Sequence, residues 1–388
     1  MPATKINLSS EAFAIHQQVE EKIRDAIQAQ GGVIRFSAFV QIALYQPQSG
    51  YYQNPLYTFG EKGDFITAPE MGVLFGQSLA RCLQPLVEMG QQRILEIGAG
   101  SGALAAAVVA QLQRMRSPCG QYQILEPSGA LQAQQKQRLS ELSADFDWLA
   151  TLPESFSGTI IANEVLDAIP FERIQRVDQG WQYLGVAYDG RDFYWQPAGE
   201  VKPTDLPQDL QNTAAYIEGY TTEIRPLVTG WIHALADCLT SGNILLFDYG
   251  YPRSELYHPQ RTAGSMRCFS RHQASDEPLK LAGLQDITAH VDFTQVAETA
   301  VGAGLNVEGF TTQSGFLLEN GILENSLGDP ATLAQETRTD TANYQFSQQV
   351  QKLTAPGQMG EVVKVIQLSK NAPRSAAGFS LQDHLHRL

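Results

Sequence analysis

An apolar strand that ends in an acid and runs straight into a glycine-rich turn constrains this chain more than any other feature: Arg93-Ile94-Leu95-Glu96-Ile97-Gly98-Ala99-Gly100-Ser101-Gly102. Glycine has no Cβ, so such a turn reaches φ > 0 and brings main-chain N–H groups close to a ligand. Residues 103–108, Ala-Leu-Ala-Ala-Ala-Val, suit a helix packed on a sheet. The unit reads as a nucleotide-type cofactor site on an α/β core. Spelled loosely, Gly98, Gly100 and Ala103 satisfy the dinucleotide pattern G-x-G-x-x-G/A, so a nicotinamide- or flavin-dependent oxidoreductase is one reading of the turn.

Glu96, two residues before the first glycine, favours S-adenosylmethionine instead, because a carboxylate there reaches the amino-acid end of that cofactor. Further on, Gln123-Ile124-Leu125-Glu126 closes a second strand, and Glu126 lies near the roughly 20-residue spacing at which an acid accepts ribose hydroxyls. The expected cofactor-binding set is Glu96, Gly98, Gly100, Gly102, Glu126 and Asn163. The competing structural reading is a tight strand–helix turn in an unrelated α/β protein, with Glu126 a solvated strand end.

At 388 residues the chain exceeds the length of one ordinary domain, so a core with an accessory region or large insertions is expected. Its 27 basic against 41 acidic residues give −14, which argues against a general nucleic-acid binder and suits a cationic substrate. Cys82, Cys119, Cys238 and Cys268 show no CxxC spacing, so reduced thiols and no zinc site are expected. Glu11, Glu20, Glu21 and Asp25 are wrong for a transit peptide, and no run of about 18 apolar residues predicts membrane insertion. Together these features predict a cytoplasmic protein.

Strands alternate with helices through the middle of the chain, which predicts right-handed crossovers and a doubly wound sheet. Ser9 or Ser10 caps a helix with Val19, Ile23 and Ile27 at i+4 spacing, ended by Gly31-Gly32, and a second helix covers 37–45. Residues 50–69 read as a long ordered loop. A helix is expected over 71–88, another over 131–142, a short strand near Trp148 and a buried strand at 159–163. Aromatic alternation over 173–195 predicts a β-hairpin insertion. A helix at 224–239 then feeds a strand ending Phe247-Asp248-Tyr249, followed by a helix at 296–303, a strand at 307–311, a helix at 333–353 and a last strand at 361–368. The tail from 371 is expected to be loosely held, with Leu381, Leu385 and Leu388 able to dock a last turn.

In an open α/β sheet the ligand lies beyond the carboxyl ends of the strands, so strand-terminal polar residues carry most weight. Asn163-Glu164-Val165-Leu166-Asp167-Ala168-Ile169-Pro170 sets two carboxylates three residues apart after such a strand. Methyl transfer asks mainly that an acceptor be held in line and its charge and proton managed. Carboxylates do this for a guanidinium, which they grip in bidentate fashion. Glu164 and Asp167 are the expected substrate-facing residues, against the alternative of a helix N-cap and a solvated turn acid. A third candidate, Asp64, lies in Gly63-Asp64-Phe65-Ile66-Thr67-Ala68-Pro69-Glu70, a segment read as closing over cofactor and acceptor or as an ordinary turn. Residues 285–293 read as an edge strand or approach loop. His272 and His290 have no partner identifiable from sequence.

These segments, with Gly50-Tyr51-Tyr52, Asp248-Tyr249-Gly250 and Gln285-Asp286-Ile287-Thr288-Ala289-His290-Val291-Asp292-Phe293, together resemble the S-adenosylmethionine-dependent methyltransferases of the MidA type over most of the chain from about 35 to 370. The resemblance implies a class I methyltransferase fold: a Rossmann-like, seven-stranded, mostly parallel sheet with helices on both faces and an antiparallel last strand, plus an N-terminal helical cap and a β-rich insertion. The expected segments are a cap and lid at 1–70, core halves at 71–170 and 223–370, an insertion at 171–222 and a tail at 371–388. The mitochondrial members of that family are complex I assembly factors that methylate arginine on a matrix-arm subunit. For this chain the resemblance implies a protein substrate, with a subunit of an NADH dehydrogenase-like complex as the counterpart. An assembly factor that binds S-adenosylmethionine without turnover is a further alternative.

Overall fold

The computed structural model describes residues 8–54, 56, 67–178, 180–271, 273–324, 340–372 and 376–388. The chain divides into two compact units, each assembled from three separate stretches: Met1–Phe65, Ala168–Leu227 and Ser254–Ala289 in one, and Ile66–Asp167, Val228–Arg253 and His290–Leu388 in the other.

In the first unit, helix Ser10–Ala29 is capped by Ser9, whose hydroxyl accepts from the Ala12 N–H at 3.2 Å. Its apolar stripe, Val19, Ile23 and Ile27, packs in one core with Phe36, Phe39 and Val40 of helix Phe36–Tyr45 and with Phe171 and Val186. A five-stranded antiparallel sheet contains the expected hairpin: Glu172–Val177, Gly180–Tyr188 and Phe193–Glu200 are joined by Ile34–Arg35 and by Thr221–Ile224. The last of these corrects the helix predicted from 224: the β-branched Thr221 and Thr222 belong to a strand, and the helix starts at Pro226 and runs to Cys238. Asp286–Thr288 is an edge of a separate three-stranded sheet.

Among the described residues, the second unit is built on an eight-stranded sheet, seven of whose strands form its continuous path: β1 (Arg93–Ile97), β2 (Gln121–Leu125), β3 (Phe146–Leu149), β4 (Phe156–Asn163), β5 (Leu239–Tyr251), β6 (Asn306–Thr312) and β7 (Val363–Lys370). Their order is β3-β2-β1-β4-β5-β7-β6, and Val291–Asp292 adds a short parallel pairing at the end of β5. The chain winds from β1 outward through β2 to β3 and returns to place β4 on β1's other side, all in parallel. β7 runs antiparallel to both β5 and β6. This is the class I methyltransferase arrangement that the resemblance implies. The order reverses at β1 and β4, and there the crevice of a doubly wound sheet opens.

Helices Leu74–Glu88 and Ala103–Arg114 share the buried core of this unit with strand residues Ile94, Tyr122 and Phe247. They approach closely because Gly76 lies against Ala107; a Cβ at Gly76 would come within 2.4 Å of the Ala107 Cβ. Phe247 sits edge-on to Phe75 and Phe316, with centroids 5.3 and 5.1 Å apart. Contrary to expectation, the described residues of the tail from 376 on are tied down. Phe379 packs on the core, the Glu319 carboxylate accepts from the N–H groups of Gly378, Ser380 and Leu381, and the His384 N–H donates to the Phe310 carbonyl at 2.7 Å. Leu381, expected to anchor it, is 59% exposed.

Candidate active site

The turn after β1 has the backbone that its glycines permit: φ is +70° at Gly98, +54° at Gly100 and +81° at Gly102, the last serving as N-cap of helix Ala103–Arg114. A Cβ at Gly98 would come within 3.0 Å of Val165 Cγ2, so the loop is tight as well as left-handed. Ser101 donates its hydroxyl to the Glu70 carboxylate, whose other neighbour is the Arg138 guanidinium at 3.9 Å. Glu70 belongs to the short helical turn Ala68–Met71, so one end of the segment that the sequence analysis singled out is tied to the glycine loop. Asp64 lies outside the described residues, as does His272.

Glu96 is 3% exposed and its carboxylate accepts from the Tyr122 hydroxyl at 2.7 Å. Burial pushes the Glu96 carboxyl up to about 7, partly opposed by that hydrogen bond. A carboxyl raised in the folded state contributes stability that is full below its unfolded value of 4.5 and is lost as pH rises through 7. Glu96→Gln is therefore expected to flatten the decline of unfolding free energy between these pH values in denaturant titrations. An unchanged pH slope in the variant would exclude this account.

At the end of β2, Glu126 is 5% exposed. One carboxylate oxygen accepts from the Ser128 N–H at 2.9 Å and the other from the Gln135 side-chain amide at 3.4 Å. Burial raises its carboxyl, and these two donors oppose the rise. Gln135 also donates to the Gly100 carbonyl at 2.8 Å.

At the end of β4, the Asn163 side-chain amide donates to Glu164 at 3.4 Å, and its buried Oδ1 has no hydrogen-bond partner among the described residues. Glu164 adopts φ +54°, a strained position for a residue with a side chain. Its N–H donates to the Phe247 carbonyl at 2.8 Å, and its carboxylate accepts from the Ala68 N–H at 3.3 Å. No helix follows, which removes the alternative that Asp167 is an N-cap. The turn is held from β5: Asp248 Oδ2 accepts from the N–H groups of Val165, Leu166 and Asp167 at 3.0, 2.7 and 3.3 Å, and Oδ1 from Tyr249 N–H at 2.8 Å. Asp167 is 7% and Asp248 0% exposed. Burial, then the charges of Glu164, Asp167 and Asp248, push the Tyr249 hydroxyl well up. His290 stacks edge-on to Tyr251 at 5.2 Å, while Asp292 caps helix Phe293–Gly302 and pairs with Arg253 at 3.1 Å.

The structure thus brings Gly98, Gly100, Gly102, Glu126, Asn163, Glu164 and Asp167 to the carboxyl ends of β1, β2 and β4. Sequence reasoning missed Gln135 and the capping role of Asp248, and it named Glu70 only as part of the 63–70 segment. The only signal for Gln135 was its place between Leu131 and Leu139 at i+4 spacing in a run of glutamines; all three are buried.

Left-handed glycines linked through Gln135 to the buried acid Glu126, with a buried acceptor at Asn163 that is orphaned among the described residues, fit a ligand carrying ribose hydroxyls and an ammonium. The comparisons agree. The family model of S-adenosyl-L-methionine-dependent methyltransferases matches residues 74–311. A crystal structure from Burkholderia thailandensis, described as a methyl transfer enzyme bound to S-adenosyl-homocysteine, is 34% identical and superposes with a TM-score of 0.90 over 99% of this chain and 100% of that one. Among curated proteins, "Protein arginine methyltransferase NDUFAF7, mitochondrial" of Xenopus laevis is 26% identical over 86% of this chain and 80% of its own length. The Caenorhabditis elegans homologue is 27% identical over 75% and 74%. Those names include a mitochondrial location, which overturns the expectation of a cytoplasmic protein drawn from composition and N-terminal charge. The oxidoreductase reading falls with the family match: a loose glycine pattern does not distinguish cofactors, whereas the whole fold and its order of strand ends do. This chain belongs to the family of S-adenosyl-L-methionine-dependent methyltransferases, with S-adenosylmethionine as its cofactor.

Proposed function

We propose that this methyltransferase acts on an arginine side chain of a protein, and that Glu164 and Asp167 receive the guanidinium. The observation that carries this reading is the turn after β4: a carboxylate in a strained backbone position, a second buried carboxylate three residues on, and a third, Asp248, accepting from the backbone N–H groups of Val165, Leu166 and Asp167. Strain of this kind persists only where surrounding bonds over-determine it, and it concentrates at functional sites. The names of the curated relatives support arginine as acceptor.

Glu126 accepts the ribose hydroxyls in this reading, and the Gly98–Gly102 turn lies against the cofactor. Asn163 Oδ1 and the β1 end that carries Glu96 serve its amino-acid part. The cofactor supplies an electrophilic methyl group on a sulfonium. The chain's residues do the rest: Glu164 and Asp167 hold the guanidinium by charge-assisted hydrogen bonds, aim one nitrogen and take up the proton released when the new N–C bond replaces the S–C bond. A subunit of an NADH dehydrogenase-like complex is the proposed protein substrate.

The test is incubation of the purified enzyme with tritiated S-adenosylmethionine and such a complex, followed by mass spectrometry of labelled peptides. Methylarginine in one subunit is the expected result. Label confined to another residue type would overturn the arginine assignment, and binding of the complex without any label would leave a cofactor-binding assembly factor in its place.

A further inference from the structure

Gln135 stands out as a polar side chain with 0% exposure in the middle of the apolar stripe of helix Gly129–Leu139. Its amide reaches the ends of three strands: it accepts from the Trp148 indole N–H in β3 at 2.9 Å, donates to the carbonyl of Gly100 after β1 at 2.8 Å, and donates to the carboxylate of Glu126 after β2 at 3.4 Å. Its orientation is fixed by chemistry. An indole N–H only donates, so the atom facing Trp148 is the Gln135 oxygen, and the NH2 group must face two acceptors, a carbonyl and a carboxylate. The Gln135 Cγ lies 3.5 Å from where a Gly102 Cβ would stand, so the side chain also backs the glycine turn.

A buried amide that bonds three partners makes a rigid link, and losing it takes one hydrogen bond from each of them at once. We propose that Gln135 is a positioning residue for the cofactor: it sets the carboxylate of Glu126 and the Gly100 peptide at a fixed spacing, so that the acid meets the ribose hydroxyls while the turn meets the rest of the ligand. This rests on the reading of Glu126 as the ribose acceptor. Trp148 takes part only by orienting the amide, and Ser128 holds the other oxygen of Glu126. Glu126 therefore keeps one donor when Gln135 is lost, which makes the expected defect one of aim rather than loss of the acid.

The experiment is isothermal titration of S-adenosylhomocysteine into the full chain carrying Gln135→Met, Glu126→Ala, or both, with Trp148→Phe alone and combined with Glu126→Ala as a second series. Methionine keeps the volume of glutamine and removes its amide. Gln135→Met is expected to weaken binding roughly tenfold, the effect of losing about one charged hydrogen bond. In the Glu126→Ala background the same change is expected to cost clearly less, because the acid it positions is gone and only the contact with the Gly100 carbonyl remains to be lost. Trp148→Phe is expected to give a smaller loss with the same dependence on Glu126, and it carries the test if Gln135→Met does not fold. Unchanged affinity in the single variants would overturn the proposal. So would an equal loss with and without Glu126, the mark of a merely structural role. If Glu126→Ala by itself binds as the wild type does, the ribose assignment fails, and the positioning role fails with it. If Glu126→Ala weakens binding but Gln135→Met does not, only the positioning role fails.

Discussion

Glu164→Gln is expected to lower kcat by about 10²–10³-fold, the effect of removing one preorganised electrostatic contact of about 3–4 kcal/mol. Its affinity for S-adenosylhomocysteine should stay at the wild-type value. The two expectations separate because glutamine preserves the shape of the side chain and an acceptor for the Ala68 N–H, while the backbone of the turn is held independently by Phe247 and Asp248. What disappears is the negative charge, which a guanidinium requires and a ribose does not. Single-turnover methyl transfer measured beside cofactor titration checks the split. An unchanged single-turnover rate would remove Glu164 from the reaction, and a parallel loss of cofactor affinity would reassign it to the cofactor.

The largest expected effect on stability is that of Asp248→Ala. Four backbone N–H groups lose a carboxylate acceptor at once. A single orphaned buried donor costs about 1–3 kcal/mol, so even with water reaching some of them the loss should be at least about 3 kcal/mol. Asp248→Asn keeps the shape and part of the accepting capacity, so it should fall between the variant and the wild type. Because the chain has two compact units, a global melting curve mixes contributions. Amide hydrogen exchange at 165–167 reads the turn directly and should accelerate in Asp248→Ala. Exchange there at the wild-type rate would mean that the carboxylate does not hold the turn.

The same logic explains how much of the site was legible in the sequence. The glycine turn was readable because only glycine adopts three left-handed conformations within five residues without strain, and the sequence writes that requirement directly. Glu126 was readable because the length of a strand–helix–strand unit fixes its distance from the turn. Glu164 and Asp167 were readable as strand-end acids, but the left-handed backbone of Glu164 was not, since nothing local marks it. Gln135 was hidden for a different reason: the helix contains several glutamines, and which of them is buried depends on the rotation of the helix against β2 and β3.

What the sequence by itself determined was the periodic part of the protein: apolar strands alternating with helices, glycines at the cofactor turn, acids at strand ends, and hence the fold class and the place of a nucleotide-type cofactor. These depend on interactions short in sequence, whose spacing is written in the residues. Only the tertiary structure decided which polar groups meet. The ring of amides around Asp248 joins residues more than 80 positions apart, and the Gln135 amide joins three strand ends. The docking of the tail through Glu319, rather than through Leu381, is of the same kind. A hydrogen bond is satisfied by any donor that arrives, so the partner is selected by sheet order and strand register, which no local pattern encodes.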